Sequence, residues 1–469
     1  MYQETPMRRN VLVVLVGVSL SLGAALANPT LASDWLRFRG PNGSGVSTDQ
    51  QQLPVTWSDK DNLQWKAELP GPGSSCPIVV GDRVLVTCWS GYGADRQNPG
   101  DIANLKLHLI CFNRATGEKL WSKDIQPHQP EERYGGMFAE HGYASHTPVS
   151  DGERVYVFFG KTGALTFDLD GKELWRTPLG TESDPRGWGT ASSPILYKNL
   201  VIVTAAAESN ALVALDKETG KEVWRQEAEG LSGTWGTPVL VEIDAERTDL
   251  VLGVPYEIWG INPDTGKLRW FCTAMDTNSY CSSVVTDGEV VYGMESMGGG
   301  SIAVRTGGKG DVTQTHVVWS GRDNNRIGTP VVHDGRIYYL SRRIANCVDA
   351  KTGERIYQTR LTGGSAAAGG RGQGGNAPGG AGRPGGGFGG RGGMGGQDYS
   401  SPIVADGKIY YVARNGDAYV LKLGPEFEQL AMNRVTSDTE DFSASPAVSE
   451  GQLFIRSSKH LYCIAENAK

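Results

Sequence analysis

The chain has 469 residues and a formal net charge of −7, from 45 basic and 52 acidic side chains, and no lysine or arginine block interrupts that acidic balance, so nucleic acid is excluded as an expected partner. A single hydrophobic core stops growing at roughly 250–300 residues, so this length demands several domains or one repetitive architecture. Only 39% of residues are hydrophobic and 64 are glycine, a composition for short strands and many turns and against helical layers.

At the N-terminus, Arg8 and Arg9 precede an apolar stretch over 11–27 that ends in Ala25-Leu26-Ala27. Residues 1–27 read as a signal peptide, because the 17 apolar residues fall short of the roughly 20 that span a bilayer. An uncleaved anchor and cleavage after Ala32 are the competing readings. The flanking residues lack most of the twin-arginine context, so ordinary secretion is expected. No cysteine stands at the processing site and no later apolar stretch is long enough to cross a membrane, so neither a lipid anchor nor a membrane span after signal removal is expected.

From residue 57 onward the chain repeats. Pro77, Pro148, Pro194, Pro238, Val284, Pro330, Pro402 and Pro446 stand at intervals of 71, 46, 44, 46, 46, 72 and 44. A period near 45 with two long outliers is a repeat array carrying insertions. Asp-Gly turns in "SDGERVYVFF", "TDGEVVYG", "HDGRIYYL" and "ADGKIYYV" supply the positive φ that a tight hairpin needs, which defines first and second strands. Third strands such as "NALVALD" run into a second glycine turn and a fourth strand ending in an aromatic residue, as in "KETGKEVW", "RATGEKLW", "PDTGKLRW" and "AKTGERIY". Four antiparallel strands per unit are what a propeller blade requires. The last unit, 443–469, stops after its third strand, and "NLQWKAEL" at 62–69 carries Trp65 where the missing fourth strand belongs. The expected fold is all-β: an eight-bladed β-propeller over 57–469, of four-stranded antiparallel blades, closed by an N-terminal strand that leaves no open sheet edge.

Units ending in D-x-x-T-G-x-x-x-W resemble the PQQ-like, tryptophan-docking repeats shared by quinoprotein alcohol dehydrogenases and the assembly lipoprotein BamB. The segment before them resembles the leader found on exported proteins of this kind. The resemblance implies that 28–56 forms a strap across the propeller, with Trp35, Arg37, Phe38 and Arg39 anchoring it. It also implies that Trp121, Trp175, Trp224, Trp270 and Trp319 pack between blades.

Seven cysteines leave at least one unpaired. Cys111, Cys347 and Cys463 share a third-strand position with Thr166, Ala214, Gly260 and Ala303, where a small residue is wanted, so buried thiols are expected there. A Cys76–Cys88 bridge depends on hairpin register, and a Cys272–Cys281 bridge is not expected across an outer-to-inner loop. His128, His141 and His146 share a loop with Glu131, Glu132 and Glu140, without the one-face spacing of a zinc motif, and no metal is expected. The low-complexity insertion 363–396 cannot bury a core and is expected to be disordered. It emerges, like the loops 90–104 and 126–142, on a single face, which makes that face the place to seek function.

In a quinoprotein dehydrogenase the family pattern sets a quinone between a tryptophan and an adjacent-cysteine disulfide, with Ca²⁺ and an aspartate base beside it. This sequence has no Cys-Cys dipeptide and no C-x-x-C-H haem motif. The expectation is an exported, monomeric, noncatalytic scaffold in the periplasm or outside the cell, without a cofactor, whose partner is an envelope protein or a surface glycan. One alternative is an atypical oxidoreductase using PQQ with calcium, with Trp235 as stacking floor and Asn278, Asn325 or Asp398 as ligands; another is a glycan- or peptide-binding propeller. The candidate ligand face comprises Tyr143, His146, Arg186, Trp188, Trp235, Asn278, Tyr280, Asn325, Arg326, Asp398 and Tyr399, all placed just before first strands.

Overall fold

The structure is a computed structural model that describes residues 1–2, 34–95, 98–133, 142–295, 299–364 and 398–466. The proposed signal peptide beyond residue 2, His141, Glu140 and the glycine-rich insertion from residue 365 lie outside the described residues. Eight antiparallel sheets follow one another around an axis, seven of four strands and one carrying a short fifth. In blade 1 the strands Ile78–Val80, Arg83–Ser90, Lys106–Asn113 and Lys119–Ile125 lie side by side in chain order. Blade 8 combines Ala447–Ser449, Gln452–Arg456 and His460–Ala465 with Leu63–Glu68 from the other end of the chain. Trp65 there stands opposite Cys463, so the expected N-terminal closure is present.

Alternating side chains of each blade fill the seams to its neighbours. Between blades 3 and 4, Ile202, Leu212 and Ala214 meet Leu250, Leu252 and Ile261, all buried, and each large aliphatic contributes about 1.5–3 kcal/mol by leaving water. The outer seams are closed by tryptophan. Trp65, Trp121, Trp175, Trp224 and Trp319 each donate the indole N–H to a backbone carbonyl of the next blade, at 2.8–3.0 Å. Each ring lies on the glycine of that blade's turn: a Cβ built on Gly117, Gly171, Gly220, Gly266 or Gly353 would fall 2.5–2.8 Å from a ring carbon. The small third-strand residues explain themselves in the same register, because Cys111, Thr166, Ala214, Ala303 and Cys347 pair directly with the aromatic position.

Trp270 departs from the expected docking. The blade 5 turn it would meet is elongated: Gly310–Asp311 pairs in parallel with the outer strand of blade 4, and Thr313–His316 forms a short helix. Trp270 is instead fully buried against Gly260 and donates to Asp249 Oδ2 at 2.8 Å. Burial alone would raise the Asp249 carboxyl, but hydrogen bonds from Arg247, Arg269 and Trp270 outweigh it and hold the group below its usual range. All seven cysteines are free thiols, and the first hairpin pairs Ile78 with Leu85, a register that sets Cys76 beside Thr87 and not opposite Cys88.

Inside, the residue that precedes each first strand donates its backbone N–H to the side chain of its counterpart in the next blade. The chain of bonds runs Cys76 to Thr147, Ser193, Thr237, Ser283, Thr329, Ser401 and Ser445, each 2.8–3.0 Å, and Ser445 returns to Cys76 Sγ at 3.2 Å. The following proline, valine at 284, favours the extended backbone that aims each N–H around the ring.

Two glycines separate docking from backbone strain. Gly220 and Gly335 have φ of 69° and 68°, but only Gly220 carries a ring, with Trp175 at 2.5 Å from a built Cβ and nothing within 4 Å at Gly335. Gly335→Ala should cost about 1–2 kcal/mol for the left-handed backbone. Gly220→Ala should cost about 1–3 kcal/mol more, from overpacking against the indole. Urea unfolding read by tryptophan fluorescence measures both, and equal losses would mean the ring contact contributes nothing.

Candidate functional site

The strap determines which end of the axis is open. Trp35 bridges Val79, Leu36 accepts from Ser150, Arg37 reaches Pro238 and Val46 bridges Val404. Gly81 and Gly451, both in hairpin turns, donate to Asp34 and Asp49 of the strap. The strap therefore crosses the turn face, inward of the first strands. Arg39 is 0% exposed, and all five of its N–H groups meet carbonyls: Nε to Gly43, Nη1 to Thr329 and Pro402, Nη2 to Ser44 and Pro330, at 2.6–3.3 Å. Burial pushes its pKa down to about 9, still above neutrality, so a full charge is held by backbone dipoles alone.

On the opposite face the loops entering blades 3, 4, 5 and 6 bring part of the candidate set together. Trp188 and Trp235 lie 5.0 Å apart at 37°. The Arg186 guanidinium sits 6.0 Å from the first ring and 5.9 Å from the second, and Arg326 is 5.8 Å from Trp188, a cation–π stack. Arg186 also donates to the Asn278 carbonyl at 2.6 Å, and Trp235 donates its indole N–H to Gly189. Asp398 and Tyr399 form a separate group on Arg414, whose N–H reaches Asp398 Oδ1 at 3.0 Å and whose guanidinium lies 5.3 Å from the Tyr399 ring.

Two candidates leave the face. The Tyr280 ring is buried in the core that blades 4 and 5 share, over Gly253 and Gly293, because both glycines open a slot that only an aromatic fills. Asn325 is buried and spends its amide on the Gly328 carbonyl of its own loop. Tyr143 and His146 belong to another place: Tyr143 packs edge-on against Trp89 and donates to the Glu132 carbonyl, and His146 packs on Phe158 beside Thr190.

Those two residues line a cavity of about 20 Å³ shared with Glu131, Glu132, Lys161 and Glu208, room for a water or two. Lys161 pairs with Glu132 at 3.1 Å. Glu208 is buried, its Oε2 has no hydrogen-bond partner among the described residues, and burial, reinforced by Glu131 and Glu132, pushes its pKa up to about 8. Among the described residues no cluster of three or more His, Cys, Asp or Glu could hold a metal ion.

A larger pocket, about 450 Å³, opens where blades 5 and 6 meet. Arg322, Arg326, Arg342 and Arg355 line it with a single carboxylate, Asp323. Sequence reasoning reached only Arg326. A signal was available in the two-residue hairpin Arg342-Arg343, whose φ values are 52° and 61°. Such loops favour Asn and Gly, and two left-handed arginines cost about 1–2 kcal/mol each.

A planar quinone needs an open aromatic floor and a cation seat beside it. Trp235 is 8% exposed with Arg186 over its ring, Asn325 is committed to its loop, and Asp398 lies with Arg414. Trp235, Asn325 and Asp398, as placed, do not form that pair of sites, and of the proposed ligands Asn278 alone keeps an exposed side chain.

The family model described as outer membrane protein assembly factor BamB matches residues 106–359 and 170–426, more than half of the chain. A polyvinylalcohol dehydrogenase from Sphingopyxis sp. (strain 113P3) is 24% identical over 303 residues, 53% of this chain and 41% of that protein, so this chain matches less than half of that relative's length. BamB from Moraxella catarrhalis superposes with a TM-score of 0.54 at 11% identity, over 86% of this chain and 99% of that one. A quinohemoprotein alcohol dehydrogenase from Comamonas testosteroni gives 0.56 at 12%, over 92% and 80%. Both structural likenesses speak to the fold alone.

Glu208 yields a pH test. Its native pKa of about 8 lies above the ordinary 4.5, so between those values the native state holds a proton that the unfolded chain has lost. Stability is therefore lost as pH rises through that window and the loss is complete above about pH 8. Glu208→Gln should match wild type near pH 4.5 and exceed it at pH 8.5 by on the order of a few kcal/mol. Denaturation midpoints at both pH values measure this, and a difference that does not change with pH would refute it.

Proposed function

The chain belongs to the family of the outer membrane protein assembly factor BamB, and from that premise we propose that it is an exported, noncatalytic scaffold that binds an envelope protein through its loop-rich face. The observation that carries the reading is the strap across the turn face, whose Arg39 takes up the carbonyls of Thr329, Pro330 and Pro402, which leaves the loop surface as the working part. That surface presents Trp188 with Arg186 and Arg326 stacked on it, and Trp and Arg are the residues that most often dominate protein interfaces. Among the described residues no helix is long and apolar enough to cross a membrane.

A second reading, an oxidoreductase, is favoured by the relation to the polyvinylalcohol dehydrogenase. One set of measurements separates the two. Site-specific crosslinking from Trp188 and Arg326 in the native envelope should capture a defined partner protein, and Trp188→Ala should weaken its binding to the purified chain by about tenfold or more. Crosslinking from Lys198, in a hairpin turn of the opposite face, should not capture it. Titration with PQQ and Ca²⁺, followed by dye-linked alcohol oxidation, should give no saturable turnover; turnover would overturn the scaffold reading.

A further inference from the structure

We propose that the seam between blades 5 and 6 is a binding site for an acidic saccharide, a sugar bearing a carboxylate or sulfate group. The site adjoins the Trp188 surface on which the scaffold reading rests and shares Arg326 with it. Its cavity of about 450 Å³ falls within the range of small-ligand pockets and is several times the volume of a single inorganic anion.

Charge selects the ligand. Four arginines face the pocket against Asp323 alone, in a chain that carries a net charge of −7. Asp323 is already committed: Arg355 reaches its Oδ1 at 3.0 and 2.6 Å, and the Tyr339 hydroxyl donates to the same oxygen at 2.6 Å. That leaves Arg322 and Arg342 as positive charge in excess over the one carboxylate. Arg322 and Arg342 are exposed. The Arg342-Arg343 hairpin, the one pair of consecutive non-glycine residues at positive φ among the described residues, carries Arg342 at the loop face, and Arg322 follows the outer strand of blade 5. A guanidinium fork matches a carboxylate or sulfate with two parallel hydrogen bonds.

The remainder of the lining selects a sugar. Ser341 and the exposed Asn324 present a hydroxyl and an amide, Gln358 is tied to Asn346 at 2.9 Å, and Ile344 is the sole aliphatic side chain. A peptide segment would need several dry apolar or aromatic anchors, and the one aromatic ring in the lining, Tyr339, is buried with its hydroxyl bonded to Asp323, whereas hydroxyl and amide groups suit a polyol. Arg326 also stands 5.8 Å from the Trp188 ring, which brings an indole to the edge of the pocket.

The test is calorimetric titration of the full chain, at low ionic strength, with trigalacturonate, a sulfated disaccharide, maltotriose, sodium sulfate and hexaglutamate. One or both acidic sugars should bind, the neutral sugar should not, and sulfate and hexaglutamate should bind at least about tenfold more weakly. Arg322→Glu with Arg342→Glu should lower acidic-sugar affinity by about tenfold or more. Lys198→Glu with Lys267→Glu, exposed turn-face residues with the same charge change, should leave it unaltered. The proposal fails if no acidic sugar binds, if maltotriose, sulfate or hexaglutamate binds as tightly, or if the two double variants weaken binding equally. Partner capture from Trp188 is a separate readout, so the scaffold reading can stand or fall independently.

Discussion

The inner ring of eight hydrogen bonds is the constraint from which the remaining architecture follows. Each N–H···O bond is worth only about 0.5–1.5 kcal/mol net, but the ring exists only if the eighth donor returns to the first acceptor. Seven acceptors are hydroxyls and the eighth is the Cys76 sulfur, reached at 3.2 Å. Burial pushes the Cys76 thiol up, so it stays protonated and the longer bond to a weaker acceptor completes the circle. A ring left open would strand one buried N–H without a partner, an outcome costlier than the bond itself. The outer closure, Leu63–Glu68 on His460–Ala465, is a second, independent fastening at the other radius of the same blade.

Much of this was legible in the sequence because it is local and repeated. The Asp-Gly hairpins, the glycine turns and the aromatic fourth-strand position each recur at fixed spacing, and all describe contacts between a residue and its equivalent in the adjoining blade. The Ser/Thr-Pro landmark was readable as a register mark, but its reason was not. A hydroxyl that accepts a bond from 44–72 residues away in sequence looks, in one dimension, like ordinary turn chemistry. Trp270 shows the limit of the repeat. Its own motif is intact, and what fails is the partner turn in blade 5, so the indole turns inward to Asp249.

The functional surface was less legible because nothing there repeats. Loop residues adjacent to first strands were expected to converge, and Arg186, Trp188, Trp235 and Arg326 do. Tyr280 has the same position in its own loop, yet two glycines on neighbouring strands, Gly253 and Gly293, draw its ring into the core. Glu208 reads as a polar residue in a short second-to-third-strand connection, but a four-residue helix, Ala206–Ser209, turns it inward under the Gly160 turn. Such outcomes depend on the shape of a neighbouring blade, which no property of the loop itself encodes.

Arg39 connects the closure of the fold to the placement of function. The carbonyls of Thr329, Pro330 and Pro402, just before the first strands of blades 6 and 7, converge on one point and together suit a cation. Here the chain supplies its own cation from the strap, and the carbonyls of Thr329, Pro330 and Pro402 are spent on it. Removing that guanidinium for a ligand would require the strap to leave Pro238, Val79 and Val404 together, since the segment is held at all three. The polar side chains that differ from blade to blade lie away from that cation: carboxylates around Glu208 and arginines around Asp323. The repeated contacts build the ring, the single strap covers its turn face, and the loops that differ between blades carry the chemistry that the repeat does not set.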